Sequence, residues 1–238
     1  MRLIKPYYEI ETELDGEKIL RHIEKAARTC YKSEHKIGDF ENTKKFVKGL
    51  LTRGHEASIE HYSISVRFII DRGVSHELVR HRLCNFSMES TRYCDYSDEK
   101  FGDHITFIIP PWTNLEEGIY DYVKNDDNES IDIIRNNEVI EVDNLSLMWI
   151  GSLKYSEYFY KVLIDGKWVA QQARSVLPNS LKTEIVTTAN LREWRHIFKL
   201  RAVGTTGKPH PQMSEVMIPL LKEFQEKIPV LFDDLEVK

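Results

Sequence analysis

The amino-acid sequence predicts an α+β protein: a central mixed or antiparallel sheet with helices packed on it. Three patterns carry that expectation. Between Tyr62 and Ile70 the apolar Tyr62, Ile64, Val66, Phe68 and Ile70 alternate with Ser63, Ser65 and Arg67, the period of two that lays one face of a strand on a core. Ile19, Leu20, Ile23, Ala26, Ala27 and Cys30 recur at the spacing of one buried helix face, and Phe46, Val47, Leu50 and Leu51 repeat the pattern. A second strand-like run, Glu184 to Thr188, comes late in the chain and requires the sheet to be assembled from both halves.

In order along the chain, residues 1–14 alternate loosely and suggest an edge strand. Asp15 is placed to cap a first helix, and a second fits Asp39 to Thr52, with Gly54 as its C-terminal stop. After the strand at Tyr62–Ile70, Asp71 caps a helix that Arg80, His81 and Arg82 are expected to close. His104 to Ile109 reads as a strand ended by Pro110-Pro111, because proline cannot donate to a ladder. Residues 112–144, with an acidic run around Asp126 to Glu129, read as a helical insertion with a solvated face. A longer helix follows from Leu145 to Leu163, and Lys167 to Val176 is expected to be helical until Leu177-Pro178. Asn190 caps a helix predicted over Leu191–Arg201, and Met213–Phe224 forms an amphipathic helix bent near Pro219.

Composition narrows the function. With 238 residues and no Pro/Gly/Ser-rich linker, the chain reads as a single domain over 1–238. Apolar residues at 41% can build a core, while 30% charged residues and the lack of a long apolar run indicate a soluble, cytoplasmic protein with no membrane span and no signal peptide. Cys30, Cys84 and Cys94 have no metal-type pairing and read as reduced thiols. Cys84 lies near a cationic segment that could lower its pKa, although a bystander thiol is the better reading.

That segment is Ser75 to Tyr93, which concentrates Arg80, Arg82 and Arg92 in a chain of net charge -5. Guanidinium forks suit two-point contact with carboxylate or phosphate, so an anionic small molecule is the first candidate ligand. The competing reading is a cationic helix terminus complementing the macrodipole. A duplex-binding protein would show a pI above roughly 9, against ≈ 6.0 here. No metal is expected: His55, Glu56, Glu60 and His61 show no converging set, and His76-Glu77 to His81 is one residue too long for the His-Glu-x-x-His zinc pattern. His61 reads as a partly buried structural histidine.

Arg80-His81-Arg82, followed after seven residues by Ser90 and then by Arg92-Tyr93, resembles the signature of the flavin-dependent thymidylate synthases. Ala173-Arg174, Leu177-Pro178, Thr187, Asn190, Arg192, His196-Ile197 and Leu200-Arg201 follow in the family's order, and Gly54-His55 and Glu60-His61 extend the resemblance over about residues 50 to 216. The resemblance implies a single domain of that family's type and reductive methylation of dUMP to dTMP. It also implies methylenetetrahydrofolate as carbon donor, FAD as hydride carrier, NADPH as reductant, and a homotetramer whose active sites are shared between subunits.

Residue by residue, it implies flavin contacts for His55, Arg80, His81, Arg82, Asn190, Leu191, Arg192 and His196. It implies nucleotide contacts for Glu77, Leu78, Val79, Arg80, Glu89, Ser90, Thr91, Arg92, Arg174 and Arg201, and gives Arg201 the catalytic role of activating the uracil. Ser90 becomes a substrate ligand rather than a nucleophile. Met88 stands where the family has a polar residue and is not assigned a contact. The alternatives are a nucleic-acid-binding protein using the same arginines and an inactive flavoprotein.

Overall fold

The computed structural model describes residues 1–98, 102, 104–124 and 131–237. The chain divides into two compact units, one of Met1–Pro6, Ile69–Glu77 and Met88–Ile185, the other of Tyr7–Phe68, Leu78–Ser87 and Val186–Lys238.

The first unit holds a five-stranded sheet in the order β5 (Thr106–Ile108), β1 (Arg2–Ile4), β6 (Gly118–Lys124), β7 (Ile131–Arg135), β8 (Glu138–Ile140). β1 runs parallel to β5, with Leu3 opposite Phe107, and antiparallel to β6. It is therefore an interior strand, and the edge strand expected within residues 1–14 is the separate Tyr7–Ile10 strand, which lies at the edge of the other sheet.

The helical insertion expected at 112–144 is corrected: its described residues form β6, β7 and β8, paired antiparallel. Tyr120 and Ile133 supply the buried side of that ribbon. Asn136 and Asn137, both at positive φ (51° and 72°), make the two-residue turn between β7 and β8. The acidic run Asp126–Glu129 lies outside the described residues.

Helix α4 (Asn144–Asp165) is capped by Asp143, whose carboxylate accepts from the Leu145 and Ser146 amides. It buries Ile150, Leu153 and Tyr160 against Leu3, Phe107 and Tyr120. Gly151 allows the approach to β6, since a Cβ there would come within 2.9 Å of the Tyr122 ring. The helix expected over Lys167–Val176 shortens to α5 (Ala170–Ala173) and a 3-10 turn at Arg174–Val176. Lys167, at φ 71°, has already turned the chain out of helical geometry.

Asp71 caps α3 (Arg72–Leu78) as expected, accepting from the Val74 amide at 2.6 Å. The helix ends at Leu78, four residues short of Arg82. Two turns replace its last stretch, closed by the His81 amide on the Leu78 carbonyl and the Cys84 amide on the His81 carbonyl.

In the second unit, Asp15 and Asp39 cap α1 (Gly16–Thr29) and α2 (Phe40–Thr52), and a 3-10 turn spans Glu56–His61. The second sheet has the order β2 (Tyr7–Ile10), β3 (Ser63–Asp71), β9 (Lys182–Asn190), β4 (Asn85–Met88), with Ile64, Val66 and Phe68 of β3 buried as their alternation requires.

Asn190 ends β9 and caps α6 (Leu191–Phe198), accepting from the Glu193 amide. The expected α-helix to Arg201 is not continuous. A π-helical turn takes over at Lys199–Val203 and ends at Gly204, whose φ of 75° suits glycine.

α7 (Pro211–Lys227) contains Pro219, and α8 (Pro229–Phe232) closes the unit. Trp194, Phe198, Phe224 and Phe232 form an aromatic cluster with centroids 5.1 to 5.8 Å apart, the phenylalanine pairs edge-to-face and the Trp194 pairs tilted. Among the described residues no helix is long and apolar enough to cross a membrane.

Phe224 is fully buried at the centre of that cluster. Phe224→Ala should lower the unfolding free energy by about 3–5 kcal/mol in urea. A loss below about 1 kcal/mol would show that these rings do not hold α6 and α7 together.

Candidate active site

The second unit contains a buried polar group at the start of α6 and the turn after α3. His81 sits between three side chains. Arg201 Nε donates to His81 Nε2 at 3.1 Å, Glu193 Oε1 lies 3.7 Å from His81 Nδ1, and the His196 ring stands edge-on at 5.8 Å between centroids. Burial pushes the His81 pKa down to about 4, and the charges of Arg201 and His196 add to that. Burial raises Glu193 against the pull of His196. The asparagine cap fixes α6, and the π-helical turn carries Arg201 back to His81.

On the Glu193 and His196 side of this group lies a cavity of about 480 Å³, lined also by Asn190, Arg192 and Lys199 together with Leu83 and the acids Glu56 and Glu60, whereas His81 and Arg201 are not part of its lining. Arg192 is exposed and pairs with Glu56 at 3.3 Å and Glu60 at 2.6 Å. Arg80 and Arg82 are exposed, and among the described residues neither they nor Lys199 form an ion pair. Leu191 is buried, its amide donating to the Tyr62 carbonyl. His55 is exposed at the entry to the 3-10 turn, outside the cavity lining. His61 is exposed rather than partly buried, and its carbonyl meets His22 Nε2. Leu78 is buried, while Val79 and Arg201 are partly so.

In the first unit, the loop after β4 is held by its own network. Glu89 accepts from the Tyr96 hydroxyl and from Lys182 Nζ at 2.8 Å, and its amide donates to the Glu184 carbonyl. Thr91 is buried and accepts from Arg174 Nη1 at 3.1 Å, so two of the candidate nucleotide contacts are brought together. The Ser90 hydroxyl accepts from the Arg92 amide at 3.3 Å, and the exposed Arg92 guanidinium lies over the Tyr93 ring. Glu77 is half-buried at the end of α3.

Comparison with known proteins decides the family. The model of the thymidylate synthase complementing proteins (Thy1) matches residues 15–230. The chain belongs to this family. It is 30% identical to the flavin-dependent thymidylate synthase of Mycobacterium marinum, over 95% of this chain and 82% of that protein. It is 27% identical to that of Corynebacterium aurimucosum, over 90% and 79%. The fold is shared with a UMP/dUMP methylase, PolB from Streptomyces cacaoi, with a TM-score of 0.72 at 18% identity, covering 98% of this chain and 96% of that one. The chain is accordingly an enzyme and a flavin-dependent thymidylate synthase by family.

Within this family member, three features escaped the sequence reading. Glu193 is buried against His81, and its spacing from Asn190 is that of a capping box, which was the available signal. Lys182, the partner of Glu89, carries no local signal because the pair spans 93 positions. The ligand atoms of His81, Glu193 and His196 lie within 4.8 Å of one another, a convergence of possible metal ligands that spacing alone did not predict. The Arg201 hydrogen bond occupies one imidazole nitrogen there and sets a cation beside it, which opposes a metal ion.

Cys84 agrees with the bystander reading and not with an activated thiol. Burial and the nearby Glu193 carboxylate push its thiol up to about 12 instead of down. In the folded protein at pH 8, iodoacetamide should modify the exposed Cys30 while Cys84 stays protected, as peptide mass spectrometry can measure. Alkylation of Cys84 at the rate of Cys30 would contradict this environment.

Proposed function

We propose that this enzyme methylates dUMP reductively to dTMP, with methylenetetrahydrofolate as carbon donor, FAD as hydride carrier and NADPH as reductant of the flavin. The observation that carries the reading is the Arg201–His81 hydrogen bond, which ties the Arg-His-Arg triplet to the arginine of the second motif.

The residues present suit an anionic dinucleotide. Among the described residues Arg80, Arg82 and Lys199 form no ion pair, while Asn190 and His196 offer polar groups on one cavity wall. In this reading His55, Arg80, His81, Arg82, Asn190, Leu191, Arg192 and His196 hold FAD, which supplies the redox chemistry when bound. His55, Arg80, His81, Arg82 and Leu191 lie outside the cavity lining and would contact parts of the cofactor beyond it.

The chain's own residues bind and polarise the nucleotide. Glu77, Leu78, Val79, Arg80, Glu89, Ser90, Thr91, Arg92 and Arg174 serve as nucleotide contacts. Arg201 faces the pyrimidine, where its fixed charge stabilises the anion formed as the N3 proton is lost and polarises the ring toward addition. Neutral His81 holds the Nε side of that guanidinium, so the Nη fork lies outside the His81 contact. Ser90 donates or accepts as a ligand, its hydroxyl already engaged with the loop amide.

The assembly proposed is a homotetramer with shared active sites. Supporting it, α4 carries exposed Leu145, Met148, Tyr155, Tyr158 and Phe159, an apolar patch of the kind that subunits cover.

Added FAD should turn the purified protein yellow, and Arg201→Lys should keep the flavin while losing dTMP formation, because lysine retains charge without the planar fork. A protein that cannot take up flavin, or a lysine variant with wild-type turnover, would defeat this assignment. For the shared site, Arg174→Ala and Arg201→Ala should each be inactive, yet recover roughly a quarter of wild-type activity on co-expression, because random pairing leaves that fraction of sites with both arginines. Flavin-loaded tetramers with no recovery would place both arginines in one chain.

A further inference from the structure

We infer that Glu193 is a positioning residue for Arg201, acting through His81. The inference rests on the reading of Arg201 as the residue that activates the pyrimidine. A guanidinium can only donate, so the nitrogen that receives Arg201 Nε–H, His81 Nε2, must keep its lone pair, and the ring proton of the neutral imidazole resides on Nδ1. Nδ1 faces Glu193 Oε1 at 3.7 Å, and both side chains are almost completely buried.

That separation is too long for a direct hydrogen bond. In a poorly solvated site, however, a carboxylate at this distance still favours the tautomer that points N–H toward it. With the other tautomer, Nε2–H and the arginine Nε–H would oppose each other, donor against donor, and the guanidinium would have to turn away. Glu193 thus selects the imidazole state that holds Arg201 in place.

Two further observations agree. Glu193 stands at the third position of α6, where a carboxylate ordinarily reaches back to the cap residue, but here it is buried beside His81 and His196. The side chains set against the His81 ring are Glu193 and His196 from α6 and Arg201 from the π-helical turn; Cys84, from the turn before β4, bonds the His81 carbonyl through its amide, and its thiol, raised by burial, stays protonated. Among the described residues Glu193 is the one acid in that set.

Two measurements test this on the full-length protein. In ¹⁵N-histidine NMR, with His81 assigned through His81→Gln, the wild type should show a single neutral tautomer protonated at Nδ1. Glu193→Ala should populate both tautomers, and the isosteric Glu193→Gln should fall between, because its amide oxygen still accepts.

In the flavin-loaded enzyme, Glu193→Ala should lower kcat for dTMP formation roughly tenfold and add nothing in a His81→Gln background. An unchanged tautomer in both Glu193 variants, or losses from the two sites that simply add, would overturn the proposal. If the wild type forms no dTMP, the functional reading fails, while the tautomer measurement still decides the role of Glu193.

Discussion

A buried imidazole that faces a guanidinium has few stable states, and the candidate active site is built around that restriction. His81 cannot carry charge beside Arg201 in a poorly solvated place, and its depressed pKa expresses this. It therefore stays neutral and accepts. The turn after α3 must then deliver the ring rather than continue as helix, and the π-helical turn that follows α6 must deliver Arg201 at the correct height. The early end of α3 at Leu78 and the π-helical turn at Lys199–Val203 are the backbone consequences.

The surrounding polar residues follow from the same constraint. Asn190 fixes the first turn of α6 through the Glu193 amide, and the aromatic cluster of Trp194, Phe198, Phe224 and Phe232 anchors the opposite face of that helix in the core. Trp194 Nε1 is satisfied by the Ile64 carbonyl of β3, so the largest ring in the core leaves no unpaired donor. One short helix thus joins a packed aromatic face to a face that presents Arg192 and His196.

Much of this was legible in the residues. Asp15, Asp39, Asp71 and Asn190 all cap the helices that their positions announced, because a side-chain oxygen before an apolar-periodic run has little else to do. The alternation in β3 was equally plain, and the family motif located the candidate residues.

Residues 118–124 and 131–140 differ from the expected helix because a charged, Ile-rich stretch gives weak periodicity, and the strand signal there is the Asn136-Asn137 turn. The end of α3 was misread because Arg80, His81 and Arg82 suit a helix C-terminus locally, whereas the burial of His81, a tertiary effect, withdraws them from it. Glu193 and Lys182 stayed hidden for a related reason. Each acquires meaning only from a partner that the fold brings near, at a separation no local pattern encodes.

In the proposed reaction a fixed guanidinium, held by a neutral histidine, prepares a uracil ring for methylation. The most direct measurement is the release of tritium from dUMP labelled at carbon 5, with dTMP followed in the same samples. The account predicts release and dTMP in equal amounts, only when FAD, NADPH and methylenetetrahydrofolate are all present. Flavin-loaded protein that releases no tritium and forms no dTMP under those conditions would contradict it.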